Sequence, residues 1–268
     1  MNLETAALRL RGLETCALGG SVIHRRSAGV KLAAALVFIV LTVSFPNMKP
    51  SALCAFFLYP AALLALSAVP PSLIAARLLP ALPFVLLGAA GNLYALRSPV
   101  FVWGNFAVSA GMLGAVSIFL KALLTVSAAL ILAATTPFTR IISALAYFRA
   151  PNIFCLQLAL TYRYIGVLSG EASRMLVSYR LRSRRRRPEI RHAGMFLGRF
   201  LLRSFDRAGR VYSAMKCRGF EAGIRHGVSG PWNAGDWFFL AACVLPLAAL
   251  RFFNLSAFLG SALRKLAA

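Results

Sequence analysis

Acidic side chains are the scarcest chemistry in this sequence: 268 residues carry 7 Asp and Glu against 30 Lys and Arg, for a formal charge of +23. Charged residues make up 14% of the chain and apolar ones 59%. A soluble domain carries about a quarter charged residues, so an ordinary soluble enzyme is excluded. The five cysteines are scattered without a C-x-x-C pair, there are three histidines, and no G-x-x-x-x-G-K-S/T run occurs. A zinc ribbon, a thiol redox motif and a self-contained ATPase are thereby excluded. Any energy the protein uses comes from elsewhere.

Long apolar runs are what the chain has instead, and about 20 residues suffice to cross a bilayer core of roughly 30 Å. The pattern predicts an all-α integral membrane protein with about five transmembrane helices: Leu32 to Phe45, about Ser51 to Val69, Leu78 to Leu96, about Ala110 to Ala134, and Asp236 to Leu250. The first run follows His24, Arg25, Arg26 and Lys31, and no small-residue cleavage pattern follows Phe45-Pro46. It therefore reads as a retained span rather than a signal peptide. The expected organisation is an N-terminal cytosolic segment (1–30), membrane helices one to four (31–134), a basic cytosolic insert (135–232), and a last span with its tail (233–268).

The insert holds 18 of the 30 Lys and Arg against only Glu171, Glu189, Asp206 and Glu221. Dense Lys and Arg favour the cytosolic side, as do Arg25, Arg26 and Lys31 at the N-terminal flank. Four crossings then return the chain to the cytosol at Thr135. A fifth crossing leaves the C-terminus outside, against the pull of Arg264 and Lys265.

Three helices are expected in the insert. Thr135-Thr136-Pro137 places a hydroxyl cap before a proline, and Phe138, Ile141, Ile142, Leu145 and Phe148 recur on one face of a short amphipathic helix. Ala150-Pro151 breaks it. A longer helix, about Asn152 to Arg182, spaces Ile165, Leu168, Ala172, Met175 and Tyr179 at 3, 4, 3, 4. After Arg184 to Arg187 and Pro188, a third, about His192 to Arg218, spaces Leu201, Phe205, Ala208, Tyr212 and Met215 at 4, 3, 4, 3. Such seams pack on each other or on a partner.

The spans themselves carry little chemistry. All seven acidic residues lie outside spans one to four, and His24, His192 and His226 lie outside every span. A gradient-driven carrier needs ionisable or ligating groups near the midplane, so a secondary transporter is disfavoured. Lys121, the one cation inside a span, reads as snorkelling or as marking a span that begins later. The run Arg184 to Arg187 reads as attraction to anionic headgroups, worth about 1 kcal/mol per residue, and no aromatic pattern beside it supports nucleic-acid binding.

The two long helices end alike. Ser178-Tyr179-Arg180-Leu181-Arg182-Ser183 is followed 36 residues later by Ser213-Ala214-Met215-Lys216-Cys217-Arg218-Gly219, each a cation, one residue, an arginine and a small residue. An arginine in a last turn gains roughly 0.3–1 kcal/mol from the helix dipole, and Gly219 suits the left-handed position that stops a helix. Taken singly, each is an ordinary helix stop. Two on paired helices, in a chain short of acids, point to a partner with acidic grooves.

On these residues the chain resembles the transmembrane (T) component of energy-coupling factor (ECF) transporters, closest to the cobalt-transport, CbiQ-like branch. The resemblance runs from His24-Arg25 and Lys31-Leu32 through Thr135-Thr136, Pro151, Arg163-Tyr164 and Glu171 to the motifs at Ser183 and Gly219-Phe220. It implies a non-catalytic, multi-pass subunit of the bacterial plasma (inner) membrane, without cofactor or metal ligands of its own. Its two crossed coupling helices would end in arginines docked into two ATP-binding subunits, beside a substrate-binding membrane (S) subunit. Carried over by position, the coupling residues are Arg182, Ser183, Arg218 and Gly219, with Arg180 the alternative in the first motif. Leu181 and Cys217 stand where alanine is usual, Ser183 where glycine is, and Ala28-Gly29 where a proline is common. Cobalt or nickel is the implied substrate, with a vitamin such as biotin the alternative. A membrane enzyme clamping lipid phosphates, with Asp206 or Glu171 as base, is the rival from another class.

Overall fold

In the computed structural model, residues 17, 19–21, 23–24, 26–46, 53–95, 99–103, 106–183, 190–220 and 232–252 are described. Arg25, Arg184 to Arg187, Pro188, Glu189, Glu221, Arg225, His226, Arg264 and Lys265 lie outside them. The chain divides into two compact units, one of residues 15–137 and 230–268, the other of 1–14 and 138–229.

The first unit is built of α1 (Ala28–Val43), α2 (Leu58–Ser67, preceded by a 3-10 turn at Ala55–Phe57), α3 (Pro71–Leu78), α4 (Leu82–Ala95), α5 (Ala110–Thr135) and α9 (Ala234–Phe252). α3 passes into α4 through a 3-10 turn at Leu79–Ala81 that contains Pro80. Proline lacks the amide that would continue the α-helical ladder there. Pro71 sits in the first turn of α3, where that missing amide costs nothing. The expected third span therefore begins seven residues earlier than its hydropathy indicated.

Among the described residues, four segments are long and apolar enough to cross a membrane: Pro71–Leu93, Gly111–Thr135, Asn152–Arg182 and Ala234–Arg251. The expected first and second spans are the shorter apolar helices Ala28–Val43 and Ala55–Ser67. At 1.5 Å per residue, 16 residues give α1 about 24 Å. Asn152–Arg182 reaches the same criterion because its first half is almost free of charge, with Arg163 the single exception before Glu171.

A two-stranded antiparallel hairpin, β1 (Pro99–Trp103) and β2 (Phe106–Ser109), joins α4 to α5 and pairs Trp103 with Phe106. The all-helical expectation had no place for it. Its signal was present: alternating β-branched and aromatic residues flank Gly104-Asn105, a two-residue hairpin dipeptide.

α5 is the spine of this unit, packed by α1, α2, α3 and α4. Phe38, Phe45, Leu53, Phe56, Tyr59, Leu124, Ala128 and Leu247 form its core. Phe38 stacks on Tyr59 with ring centroids 4.3 Å apart, and Phe45 meets Phe56 edge-on at 5.0 Å. At Gly114 the Asn92 side chain occupies the space a Cβ would need, so this glycine serves a close approach of α4 to α5.

Cations close the helix ends. The last four carbonyls of a helix have no partner within it, and each left bare in an apolar surrounding costs several kcal/mol. Lys31, 5% exposed on α1, donates from Nζ to the Thr135 carbonyl at 3.0 Å, where α5 ends. Lys121 on α5 donates to the carbonyls of Phe45 at 2.6 Å and Val43 at 3.3 Å, where α1 ends. Arg251 on α9 donates to the Ser44 carbonyl at 3.2 Å and lies over the Phe45 ring. Lys121 thus has a bonding role to the backbone at the end of α1.

α1 and α9 are joined at both ends. The Asp236 carboxylate, in the first turn of α9, accepts from the Ser27 and Asn233 amides at 3.5 and 3.3 Å and lies 4.0 Å from Arg26. Trp232 packs so closely on Gly29 that a Cβ there would come within 3.1 Å of the indole. With Arg251 at Ser44, the two helices run parallel. The end of α9 is level with the end of α1, opposite the basic N-terminal flank.

Reporters fused before Ala28 and after Phe252 are expected to fall on opposite sides of the membrane; finding both on one side contradicts parallel α1 and α9. Lys31→Met is expected to cost about 1–3 kcal/mol, the penalty of an unpaired buried carbonyl, seen as a lowered thermal midpoint of the purified protein.

Candidate functional site

The second unit contains α6 (Phe138–Tyr147), α7 (Asn152–Ser183) and α8 (Ile190–Cys217). All three helices fall where proline and glycine punctuation placed them, within a few residues. The expected hydroxyl cap is not made: the Thr135 hydroxyl turns back to the Ile131 carbonyl at 2.8 Å, and the buried Thr136 hydroxyl has no partner among the described residues. α6 buries Ile142 and Ala144, and Phe138 meets the Tyr162 ring of α7 at 4.8 Å.

α6 stops through a six-residue cap in which the Ala150 amide donates to Leu145 and that of Arg149 to Ala146. Arg149 takes a left-handed φ of 61° there, a position glycine usually fills. α8 stops in the same way: the Phe220 amide donates to Met215 at 3.0 Å and that of Gly219 to Lys216 at 3.0 Å, with Gly219 at φ 69°. This is the left-handed stop the sequence predicted, and it leaves Arg218 as the exposed last residue before the turn.

Arg180 and Arg182 lie in the last turn of α7 and are exposed, with Leu181 between them 83% exposed. Ser183 is the last residue of that helix. Among the described residues, neither Arg182 nor Arg218 has an ionic partner. The structure therefore gives two helix ends, each turning an exposed arginine outward.

One carboxylate joins the two long helices. Glu171 on α7, 14% exposed, accepts from Arg207 Nη2 at 2.7 Å and from Arg203 Nη1 at 3.3 Å, both on α8, with Arg174 3.9 Å away on its own helix. The pairing sets the Arg203 and Arg207 face of α8 toward α7, and the seam expected on α8 is overturned. Leu201, Phe205 and Tyr212 are 56, 65 and 63% exposed, whereas Ala193, Phe196, Phe200, Ser204, Arg207, Val211 and Met215 make the half-buried stripe. α8 is turned so that its arginines reach Glu171 and its most apolar stripe stays open. On α7 the expected seam holds at Leu168, Ala172, Met175 and Tyr179, while Ile165 is exposed.

Asp206, a candidate base in the enzyme reading, is exposed on α8, and Glu171 is committed to arginines. No group of three or more metal-ligating side chains exists among the described residues. The 36-residue offset from Glu171 to Arg207, the same as that between Arg182 and Arg218, is a signal for the pairing that periodicity alone does not read.

The family described as CbiQ, cobalt transport protein, matches residues 19–228. The chain is also similar to the energy-coupling factor transporter transmembrane protein EcfT 1 of Listeria monocytogenes serotype 1/2a (strain 08-5578), at 26% identity over 188 residues. That match covers 61% of this chain and 64% of the relative's length.

Gly219→Ala is expected to cost about 1 kcal/mol, because an L-residue resists the left-handed region. Arg149→Gly relieves similar strain, offset in part by the added freedom of the unfolded chain. Thermal unfolding of the two purified variants should move in opposite directions, and a shared direction contradicts the two caps as described.

Proposed function

The chain belongs to the CbiQ family, as a multi-pass transmembrane component of the energy-coupling factor type, and from that membership we propose that it transmits the movement of two ATP-binding subunits to a substrate-binding membrane subunit. It does so without catalysing a reaction. The observation that carries this reading is the pair of exposed arginines, Arg182 and Arg218, at the ends of two long helices tied together at Glu171.

An arginine beside a helix C-terminus is favoured by the dipole and presents a planar fork to a carboxylate. With 7 acids in the whole chain, the complementary carboxylates belong to another protein. Each ATPase would hold one tip in an acidic groove, through Arg182 and Ser183 on one side and Arg218 and Gly219 on the other. ATP-driven closure would then change the angle between α7 and α8, a coupling carried by rigid helices with two arrangements. The equal 36-residue offsets favour Arg182 over Arg180 as the first tip.

The substrate-binding subunit requires apolar surface. Phe84 and Leu87 on α4, Phe238 and Leu245 on α9, and the open stripe of Leu201, Phe205 and Tyr212 on α8 provide it, each more than half exposed. In this reading residues 135–232 are cytosolic and the spans face lipid and the S subunit. The family description supports cobalt, with nickel of the same charge and ligand chemistry, as cargo. The metal ligands would then reside on the S subunit, and this chain would touch the cargo's carrier only.

The test is charge reversal. Arg182→Glu combined with Arg218→Glu is expected to abolish co-purification of the ATP-binding subunits while membrane insertion persists. Retained co-purification sinks the assignment of the two tips, and turnover of nucleotide by the purified chain alone sinks the non-catalytic reading.

A further inference from the structure

We propose that Glu171 is the pivot of the two long helices, a single carboxylate that holds α7 to α8 at an equal distance from both tips and lets them change angle without parting. The inference deepens the coupling reading above and rests on it for its functional consequence; its structural content stands on the geometry of α7 and α8 alone.

The arms are equal. Eleven residues separate Glu171 from Arg182 on α7, and eleven separate Arg207 from Arg218 on α8. At 1.5 Å per residue each arm is about 16 Å, so a turn of about 10° at the crossing displaces a tip by about 3 Å. Equal arms give both tips the same displacement. A crossing nearer one end would favour one partner over the other.

The crossing combines a charge tie with contact packing. Half-buried Leu168 and Met175 share the Glu171 face of α7, and half-buried Ser204 and Val211 share the Arg207 face of α8. Contact packing loses much of its attraction over a gap of 0.5–1 Å, whereas the attraction of two charges falls only as the inverse of their distance. A charge tie therefore tolerates rotation that interlocked side chains resist.

The carboxylate also has more than one station. Its two oxygens meet Arg207 at 2.7 Å and Arg203 at 3.3 Å, and these arginines lie one turn apart on α8. As α8 rotates or slides by part of a turn, one bond lengthens while the other shortens. Glu171 stays paired throughout.

The experiment reads the structure and the coupling separately. Spin labels introduced through unnatural amino acids at the exposed positions Ser178 and Ser213, beyond the crossing on each arm, report the distance between the arms in the full chain reconstituted in lipid nanodiscs. E171Q, which keeps shape and removes charge, is expected to broaden that distance distribution. R207Q, which leaves Arg203 on the carboxylate, is expected to shift its mean with less broadening and carries the test should E171Q fail to insert. An unchanged distribution overturns the pivot whether or not the coupling reading holds. In the assembled transporter E171Q is expected to retain both ATP-binding subunits and their ATP hydrolysis while uptake per ATP falls about tenfold, within the ordinary range of coupling energies. Unchanged uptake per ATP overturns the functional role. Loss of the subunits from the Arg182→Glu, Arg218→Glu chain concerns the tips and leaves the distance result untouched.

Discussion

A helix that stops beside hydrocarbon must find donors for its last carbonyls, and this requirement organises the described scaffold. Lys31 supplies the end of α5, and Lys121 and Arg251 supply the end of α1. Each bond joins helices far apart in sequence, so satisfying the backbone also fixes which helices are neighbours and which way they run. The cost of leaving such a carbonyl bare, several kcal/mol in an apolar medium, exceeds what an exposed ion pair contributes. Lys31, Lys121 and Arg251 are therefore structural, bound to backbone rather than to carboxylates.

The helices of the second unit use the same chemistry to the opposite end. α7 and α8 also finish in basic residues, yet Arg182 and Arg218 are exposed, and the stop after Arg218 is made by backbone bonds through Gly219. Where the scaffold's cations are consumed within the fold, these remain available. The one carboxylate with 14% exposure in this unit, Glu171, is spent on joining the rods rather than on neutralising their tips. Coupling between distant sites requires a rigid element with two arrangements. Two rods tied by charge at their crossing have that property without any change in their internal structure.

Most of the helical frame was legible from residue order. Proline at 71, 137 and 151 and glycine at 219 mark helix boundaries because they act on the backbone of their own segment, and α6, α7 and α8 fall within a few residues of those marks. The hairpin strands Pro99–Trp103 and Phe106–Ser109 lie in the link between the expected third and fourth spans, which a reading by apolar runs passes over although Gly104-Asn105 announces a turn. The face of α8 was misassigned for a different reason. Periodicity selects the most apolar stripe as the buried one, but Leu201, Phe205 and Tyr212 remain open because Glu171 on a separate helix requires Arg203 and Arg207. The candidate tips were named from the sequence, and the tie between their helices was not.

Composition and spacing by themselves determined that this chain spans membranes, has no ATP-binding motif and ends two rods in arginine. These properties are sums over local segments: apolar runs choose lipid, and each turn residue constrains its own φ. The tertiary structure decided the parallel course of α1 and α9, the carbonyls that Lys31 and Lys121 serve, and the side of α8 that meets α7. Those outcomes depend on polar groups separated by 32 to 209 positions along the chain. A sequence records that each such group needs a partner, and only the folded backbone brings a particular partner within 3 Å or so of it.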